Sequence, residues 1–151
     1  MDFMQIAINE AKKGLKNKEG GPFGAVIVKD GKLISKAHNT VLKDNDPTAH
    51  AEVNAIRKAS KKLANFDLSN CELYSTCEPC PMCYSAIHWG RIKKVYYGAE
   101  AKDAAKVGFI DRQLKEILHG KKKSKIIMKK IDSKKCVELM GEFTRLKGKL
   151  Y

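Results

Sequence analysis

The sequence predicts a single α/β domain built around a mixed β-sheet. After an opening helix and a hairpin, segments with strand patterning alternate with segments of helical spacing, as in layered α/β domains. The length of 151 residues fits one domain. No apolar run approaches the roughly 20 residues that a membrane-spanning helix needs. The N-terminus lacks a basic region followed by an apolar one, so we expect a cytoplasmic protein.

The N-terminal part of the chain predicts a helix followed by a hairpin. Apolar residues recur at helical spacing over residues 3–15, and Asp2 is placed to cap the helix start. The apolar run over residues 23–28 predicts a buried strand. Asp30-Gly31 is typical of a hairpin turn, so the return strand is expected over residues 33–39.

Helices and strands alternate along the remainder of the chain. Residues 40–47 are polar and predict a loop, after which Thr48 is expected to cap a helix that ends near residue 62. Further helices are predicted over residues 81–90 and 133–147, and further strands over residues 73–75, 95–97 and 126–128. The mixed sheet is therefore predicted to have five strands.

The formal net charge of +13 is concentrated towards the C-terminus. Residues 111–151 hold thirteen basic and five acidic residues, a net charge of +8. Such a region can attract nucleic acid or an anionic ligand. Because lysine predominates and no aromatic–basic motif accompanies it, we interpret the excess mainly as a solvated surface.

Three of the five cysteines are crowded into residues 77–83. Without a secretion signal, this pattern favours metal or thiolate chemistry over a disulfide framework. The spacing is compatible with a zinc site, a redox dithiol at a helix start, or an iron–sulfur cluster. The ferredoxin-type cluster needs a fourth cysteine where this chain has Ile87, so that pattern fails.

His50 and Glu52 lie near the start of a predicted helix. Two residues along a helix correspond to about 200° of rotation, so the two side chains diverge in the middle of a helix. In a first turn, both can still reach one site beyond the helix end. Alone the pair is more typical of a surface helix, although an imidazole is well suited to join two thiolates as a third zinc ligand.

The two motifs together resemble the signature of zinc-dependent nucleobase deaminases, in which His-x-Glu precedes Pro-Cys-x-x-Cys. Here they are residues 50–52 and 79–83, separated by about one helix, one strand and a turn. Three protein ligands leave the fourth tetrahedral position to a water, whose pKa zinc lowers towards neutrality. The glutamate stays off the metal, where it can take the proton of that water and pass it to a ring nitrogen.

The whole chain resembles the cytidine deaminase superfamily, and within it the bacterial guanine deaminase branch. The resemblance rests on residues 20–28, 45–52, 77–83, 86–89 and 108–111, and on the terminal Tyr151. It implies a three-layer α/β/α cytidine-deaminase-like fold with a central five-stranded mixed sheet and one zinc-dependent domain over residues 1–151. It also implies hydrolysis of guanine to xanthine and ammonia, and a homodimer whose subunits exchange their C-terminal segments, about residues 130–151.

The resemblance assigns the reaction chemistry to five residues. It implies that His50, Cys80 and Cys83 hold one zinc ion per subunit. Glu52 would carry protons, and Asp111 would contact the amine of the substrate and help ammonia to leave. Outside the resemblance, Asp111 is typical of a helix cap.

Five further residues resemble the substrate pocket of that branch. The resemblance implies that Phe23 stacks on the base, that Asn39 hydrogen-bonds the purine and that Ala51 also contacts the substrate. Trp89 would form a wall of the pocket, and Tyr151 would close the pocket of the partner subunit. Outside the resemblance, Phe23 and Trp89 are more typical of the core and Tyr151 of a frayed terminus, whereas Asn39 is equally typical of a turn at the end of a strand.

Other substrates are compatible with the same motif. The family pattern Gly-Phe-Asp-Asp has Ile110 in place of its first acid here, and residues 86–89 also resemble plant guanosine deaminases, so guanosine is a second hypothesis. Cytosine deaminases and tRNA adenosine deaminases share the zinc motif. The net charge favours the tRNA enzymes, whereas residues 21–25 and Tyr84 differ from their usual pattern. A non-catalytic zinc protein that binds nucleic acid would have four protein ligands and no need of Glu52.

Overall fold

The computed structural model describes residues 1–149, apart from the side chain of residue 112. The chain divides into a larger compact unit, Met1–Lys115, and a smaller one that begins at Glu116. The strands are β1 (Gly24–Lys29), β2 (Lys32–His38), β3 (Cys71–Cys77) and β4 (Lys94–Ala99). The helices are α1 (Phe3–Lys16), α2 (Val41–Asp44), α3 (Ala51–Leu63), α4 (Pro81–Trp89), α5 (Ala101–Lys106), α6 (Arg112–Leu118) and α7 (Ser133–Arg145).

The four strands form one mixed sheet with the order β2-β1-β3-β4. β1 runs antiparallel to both of its neighbours, whereas β3 and β4 are parallel. Side chains of β1 alternate between two core clusters: Ala25 and Ile27 pack on the side of α3, and Val26 and Val28 pack with Ala7 of α1. Helices therefore cover both faces of the sheet, which confirms the predicted α/β class with a mixed sheet.

Small residues bring α1 and β1 close together. A Cβ atom added at Gly24 would overlap the carbonyl oxygen of Ala7 and lie 2.8 Å from the backbone nitrogen of Ala11. At the start of the helix, the Asp2 side chain accepts a hydrogen bond from the backbone N–H of Gln5 at 2.9 Å. Asp2 is thus the N-cap, as predicted.

The predicted hairpin is confirmed. Asp30 and Gly31 both have positive φ angles, of 50° and 68°, which suits a tight turn between antiparallel strands. Lys29 and Lys32 pair across the turn, so the return strand begins at Lys32.

The prediction of a fifth strand over residues 126–128 is wrong: in the described part of the chain the sheet has four strands. Ile126, Ile127 and Met128 have no strand conformation, and 77%, 81% and 90% of their surface is exposed. A strand is stable only where a neighbour completes its backbone hydrogen bonds. Three apolar residues flanked by lysines are too short to favour a strand by themselves.

The prediction that Thr48 caps the central helix is also wrong. The Asp46 carboxylate accepts hydrogen bonds from the Thr48 backbone N–H at 2.8 Å and hydroxyl at 2.7 Å, which keeps Thr48 in a turn. The helix begins later, at Ala51, and His50 becomes its N-cap residue. The predicted loop over 40–47 contains the short helix α2, and α5 and α6 were not predicted because each is only six or seven residues long.

Within the described residues, none of the helices combines the length and the apolar character needed to cross a membrane.

Candidate active site

Two helix starts bring together the three predicted metal ligands. His50 immediately precedes α3, Cys80 immediately precedes α4, and Cys83 lies in the first turn of α4. The Nδ1 atom of His50 is 3.6 Å from the Sγ atom of Cys80 and 3.5 Å from that of Cys83. The three ligand atoms all lie within 4.8 Å of one another, so they can hold a single metal ion.

The chemistry of this donor set fits zinc. Hydrogen bonds from Cys83 and His50 lower the pKa of the Cys80 thiol, whereas the hydrogen bond to Cys80 and burial raise the pKa of Cys83. Two adjacent thiols, one of them fully buried, do not readily both ionise without a cation between them, and a divalent ion removes that conflict. Two thiolates and one imidazole are typical zinc ligands, and the described residues of this group leave one tetrahedral position open.

Replacing Cys83 by serine should reduce the zinc content well below one ion per chain, because Cys83 is fully buried and no other described side chain in this group can replace its thiolate. Metal analysis of the purified variant by plasma mass spectrometry measures this. Cys136 is exposed on α7, so Cys136→Ser is the matched control and should keep full zinc content. Full occupancy in Cys83→Ser would contradict the assignment.

Glu52 lies beside these ligands, in the first turn of α3. Its Oε1 atom accepts a hydrogen bond from the hydroxyl of Ser75 at 3.0 Å, and its Oε2 atom lies 3.4 Å from the Sγ atom of Cys83. Only 5% of the residue is exposed, and this burial raises the pKa of the carboxyl group. The position in the first turn explains how His50 and Glu52 reach one site despite the rotation between them.

A cavity of about 470 Å³ opens above this group. His50, Glu52 and Cys80 contribute to its lining, together with the predicted substrate residues Phe23 and Asn39 and the predicted second acid Asp111. The structure therefore gathers six of the ten predicted site residues around one space that belongs to the larger unit. The volume is in the range of small-molecule sites.

Two aromatic rings form one side of the cavity. Phe23 and Phe109 meet edge to face, with ring centroids 5.0 Å apart and planes at 81°. A Cβ atom at Gly21 would lie 2.8 Å from the Phe23 ring and 3.1 Å from the Phe109 ring, so a larger residue at this position would displace the Phe23 ring. Sequence reasoning assigned no role to Phe109, although it lies in one of the segments that carry the resemblance.

Asn39 is fixed by its amide oxygen. That oxygen accepts hydrogen bonds from the backbone N–H groups of Gly21 at 3.3 Å and Val41 at 3.2 Å. Both partners are donors, so the oxygen and nitrogen of the amide are assigned unambiguously. The amide NH₂ group is left to serve as a donor, and the residue is buried and lines the cavity.

Asp111 belongs to a charged group that the sequence did not reveal. The Nζ atom of Lys115 lies 3.2 Å from Oε1 of Glu78 and 3.7 Å from Oδ2 of Asp111. The other oxygen of Glu78 accepts the backbone N–H of Ala101 at 3.0 Å. Glu78, which lies between two motif cysteines, thus anchors both ends of the segment that carries Phe109 and Asp111.

Two predicted substrate residues, Trp89 and Ala51, are not among the described residues that line this cavity. Trp89 is the last residue of α4 and is 67% exposed, so it does not form the predicted wall within this chain. Ala51 is fully buried between His50 and Glu52. Its backbone N–H is at the helix start, where intrahelical partners are missing. Tyr151 lies outside the described residues.

Comparison with known families agrees with this geometry. Residues 1–99 match the model of the cytidine and deoxycytidylate deaminase zinc-binding region. This match covers more than half of the chain, which therefore belongs to the cytidine deaminase superfamily of zinc-dependent hydrolases. The predicted family membership is confirmed.

Two named activities recur among the similar proteins. Guanine deaminase of Bacillus subtilis is 56% identical over 109 residues, which are 72% of this chain and 70% of that protein. A solved structure of guanine deaminase from Bacillus subtilis has a TM-score of 0.91 at 42% identity, covering 99% of this chain and 96% of the other. A tRNA-specific adenosine deaminase of Buchnera aphidicola is 38% identical over 146 residues, covering 96% of this chain and 93% of that protein.

Proposed function

We propose that this chain hydrolyses guanine to xanthine and ammonia with one zinc ion per subunit. The observation that carries the proposal is the buried carboxylate of Glu52, held 3.4 Å from the Sγ atom of Cys83 at the floor of a cavity of about 470 Å³. The high identity to a guanine deaminase over most of both chains supports guanine as the substrate.

The cavity walls suit a flat heterocycle. The ring of Phe23 offers a stacking surface, and the amide NH₂ of Asn39 can donate a hydrogen bond to an acceptor atom of the purine. The stacking contact excludes water from one face of the base. The hydrogen bond fixes which edge of the base faces the metal ligands, so the amine-bearing carbon lies towards Glu52.

The reaction then needs two proton transfers by the side chains of this protein. Zinc held by His50, Cys80 and Cys83 supplies Lewis-acid activation of water. Glu52 takes a proton from the attacking water and delivers it to a ring nitrogen as the new carbon–oxygen bond forms. Asp111 accepts a hydrogen bond from the amine. The proton of the added hydroxyl then goes to the amine, the carbon–nitrogen bond breaks, and ammonia leaves.

The oligomeric part of the proposal is a homodimer whose subunits exchange residues 130–151, so that Tyr151 closes the partner's cavity. The apolar side chains of α7 support it, since Val137, Met140 and Phe143 are 66%, 61% and 42% exposed. An amphipathic helix of this kind is stable when its apolar face is covered. The single domain over residues 1–151 and the cytoplasmic location stay predictions.

The test is ammonia release by purified, zinc-loaded protein from guanine, guanosine, cytosine, adenine and a tRNA anticodon stem-loop in parallel. We expect turnover of guanine and none of the stem-loop. Turnover of the stem-loop with guanine untouched would keep the zinc chemistry and overturn the substrate.

A tRNA adenosine deaminase is the second candidate. The similarity to the Buchnera enzyme over nearly the whole chain and the net charge of +13 favour it. Binding of a tRNA depends on phosphate contacts and weakens steeply with salt, whereas binding of free guanine does not. Measuring turnover at about 50 and 200 mM salt therefore separates the two candidates.

A further inference from the structure

A fully buried hydroxyl lies behind the glutamate of the site. Ser75 is in β3, none of its surface is exposed, and its Oγ atom donates a hydrogen bond to Oε1 of Glu52 at 3.0 Å. Alternate residues of β3 face the same side of the sheet, so Ser75 shares its side with Leu73 and Cys77, both of them buried. The burial pattern of this strand predicts an apolar residue at position 75. A polar side chain buried at such a position is costly unless it is hydrogen-bonded, so its hydrogen bonds indicate why a serine is present.

The direction of the Ser75 hydroxyl is set by its surroundings. The backbone N–H of Cys77 donates to the Oγ atom at 3.4 Å, which occupies the acceptor side of the hydroxyl. The hydroxyl proton is then available to Glu52. A hydroxyl held as an acceptor on one side and as a donor on the other cannot rotate freely, so it fixes the carboxylate that it faces.

The two oxygens of Glu52 consequently have different roles. Oε1 accepts the hydrogen bond of the Ser75 hydroxyl, whereas Oε2 faces the Sγ atom of Cys83 at 3.4 Å. When Cys83 serves as a metal ligand it is a thiolate and has no proton to donate, so Oε2 is free to accept one. We propose that Ser75 is a positioning residue that keeps Oε1 of Glu52 occupied and thereby directs the shuttled proton to Oε2. This inference rests on the proposed function for its catalytic consequence.

The catalytic test compares two substitutions of Ser75. Ser75→Ala removes the hydroxyl at almost constant volume and should lower kcat about tenfold or more, with KM for guanine and zinc content unchanged, because a misplaced catalytic group slows chemistry without weakening binding. Ser75→Thr keeps the hydroxyl and should recover most of kcat. An unchanged kcat in Ser75→Ala, or a loss confined to KM, would overturn the proposal.

Ser35 supplies a matched control. It is also a buried serine in a strand, and its hydroxyl donates to the carbonyl oxygen of Ala55 at 2.8 Å. Ser35→Ala therefore loses a comparable buried hydrogen bond to the same helix, but outside the cavity lining. We expect its kcat to stay at the wild-type value. A decrease equal to that of Ser75→Ala would show that both variants act through stability alone.

A readout without turnover separates this inference from the substrate assignment. Urea unfolding is measured for Ser75→Ala, Glu52→Ala and the double variant. Ser75→Ala should lower the folding equilibrium constant about tenfold in the wild-type background, because it removes the hydroxyl donor at Oε1 of the buried Glu52 side chain, and should have little effect in Glu52→Ala. If the wild-type protein leaves guanine untouched but this coupling is present, only the substrate is wrong. Additive effects would overturn the Ser75 contact itself.

Discussion

Glu52→Gln should slow deamination severely while leaving the metal centre intact. The amide has the size of the carboxylate and can still accept the hydrogen bond of Ser75 at its oxygen, so the fold is preserved. An amide cannot take a proton from water and deliver it to the base. General acid–base catalysis contributes about 10²–10⁴-fold, and we expect kcat to fall by about that factor. Steady-state ammonia release measures the loss.

Two controls accompany this variant. Zinc content should remain one ion per chain, because Glu52 is not among the three grouped ligands. Replacing Glu78, another cavity-lining glutamate, with glutamine should lower kcat far less than Glu52→Gln does, because the amide oxygen can still accept the backbone N–H of Ala101 and the residue transfers no proton in the proposed reaction. Normal turnover by Glu52→Gln would show that another group carries the proton.

Gly24→Ala should destabilise the fold more than any other substitution discussed here that adds a single methyl group. The added carbon would overlap the carbonyl oxygen of Ala7 and press on the backbone of Ala11, and neither α1 nor the central strand can yield without losing contacts. Overpacking of this kind costs about 3 kcal/mol at its upper range. Urea unfolding monitored by circular dichroism measures the change in the free energy of unfolding.

Gly90→Ala is the comparison for this variant. Gly90 follows α4 with a φ angle of −73°, and the nearest atom to its added Cβ is 3.4 Å away, so alanine fits without strain. We expect the free energy of unfolding to change by less than about 1 kcal/mol. Equal stability of Gly24→Ala and Gly90→Ala would contradict the close packing of α1 on β1.

Local chemistry made much of the fold predictable. The Asp30-Gly31 turn, the Asp2 cap and the apolar run of β1 each depend on neighbouring residues, and each prediction is confirmed. The metal group was predictable because ligand spacing at two helix starts determines where the side chains can meet. The pairing of His50 with Glu52 needed the helix to begin at the right residue. In the structure the helix begins at Ala51, with His50 as its N-cap residue, and not directly after Thr48.

The remaining features depend on contacts between distant segments. The strand predicted at residues 126–128 would have needed a neighbour that an apolar triplet cannot specify. Phe109 becomes a cavity residue only because Phe23 lies 5.0 Å away, and Lys115 matters only through Glu78. From the sequence, Ser75 is an ordinary strand residue. Its role depends on the hydrogen bond to the carboxylate of Glu52, which only the structure shows. Neither the periodicity of the sequence nor a short motif predicts these contacts between distant residues.

The division between the floor and the walls of the cavity has an evolutionary consequence. The floor is built by two helix starts, whereas one wall comes from residues 101–111, which lie beyond the end of the family match at residue 99. Mutations at wall positions such as Ala104 and Ile110 can therefore reshape the cavity without changing the three metal ligands or Glu52. Relatives named for a free purine base and for a tRNA nucleoside both match this chain. A protein of this fold can acquire a different substrate while it keeps the same hydrolytic residues.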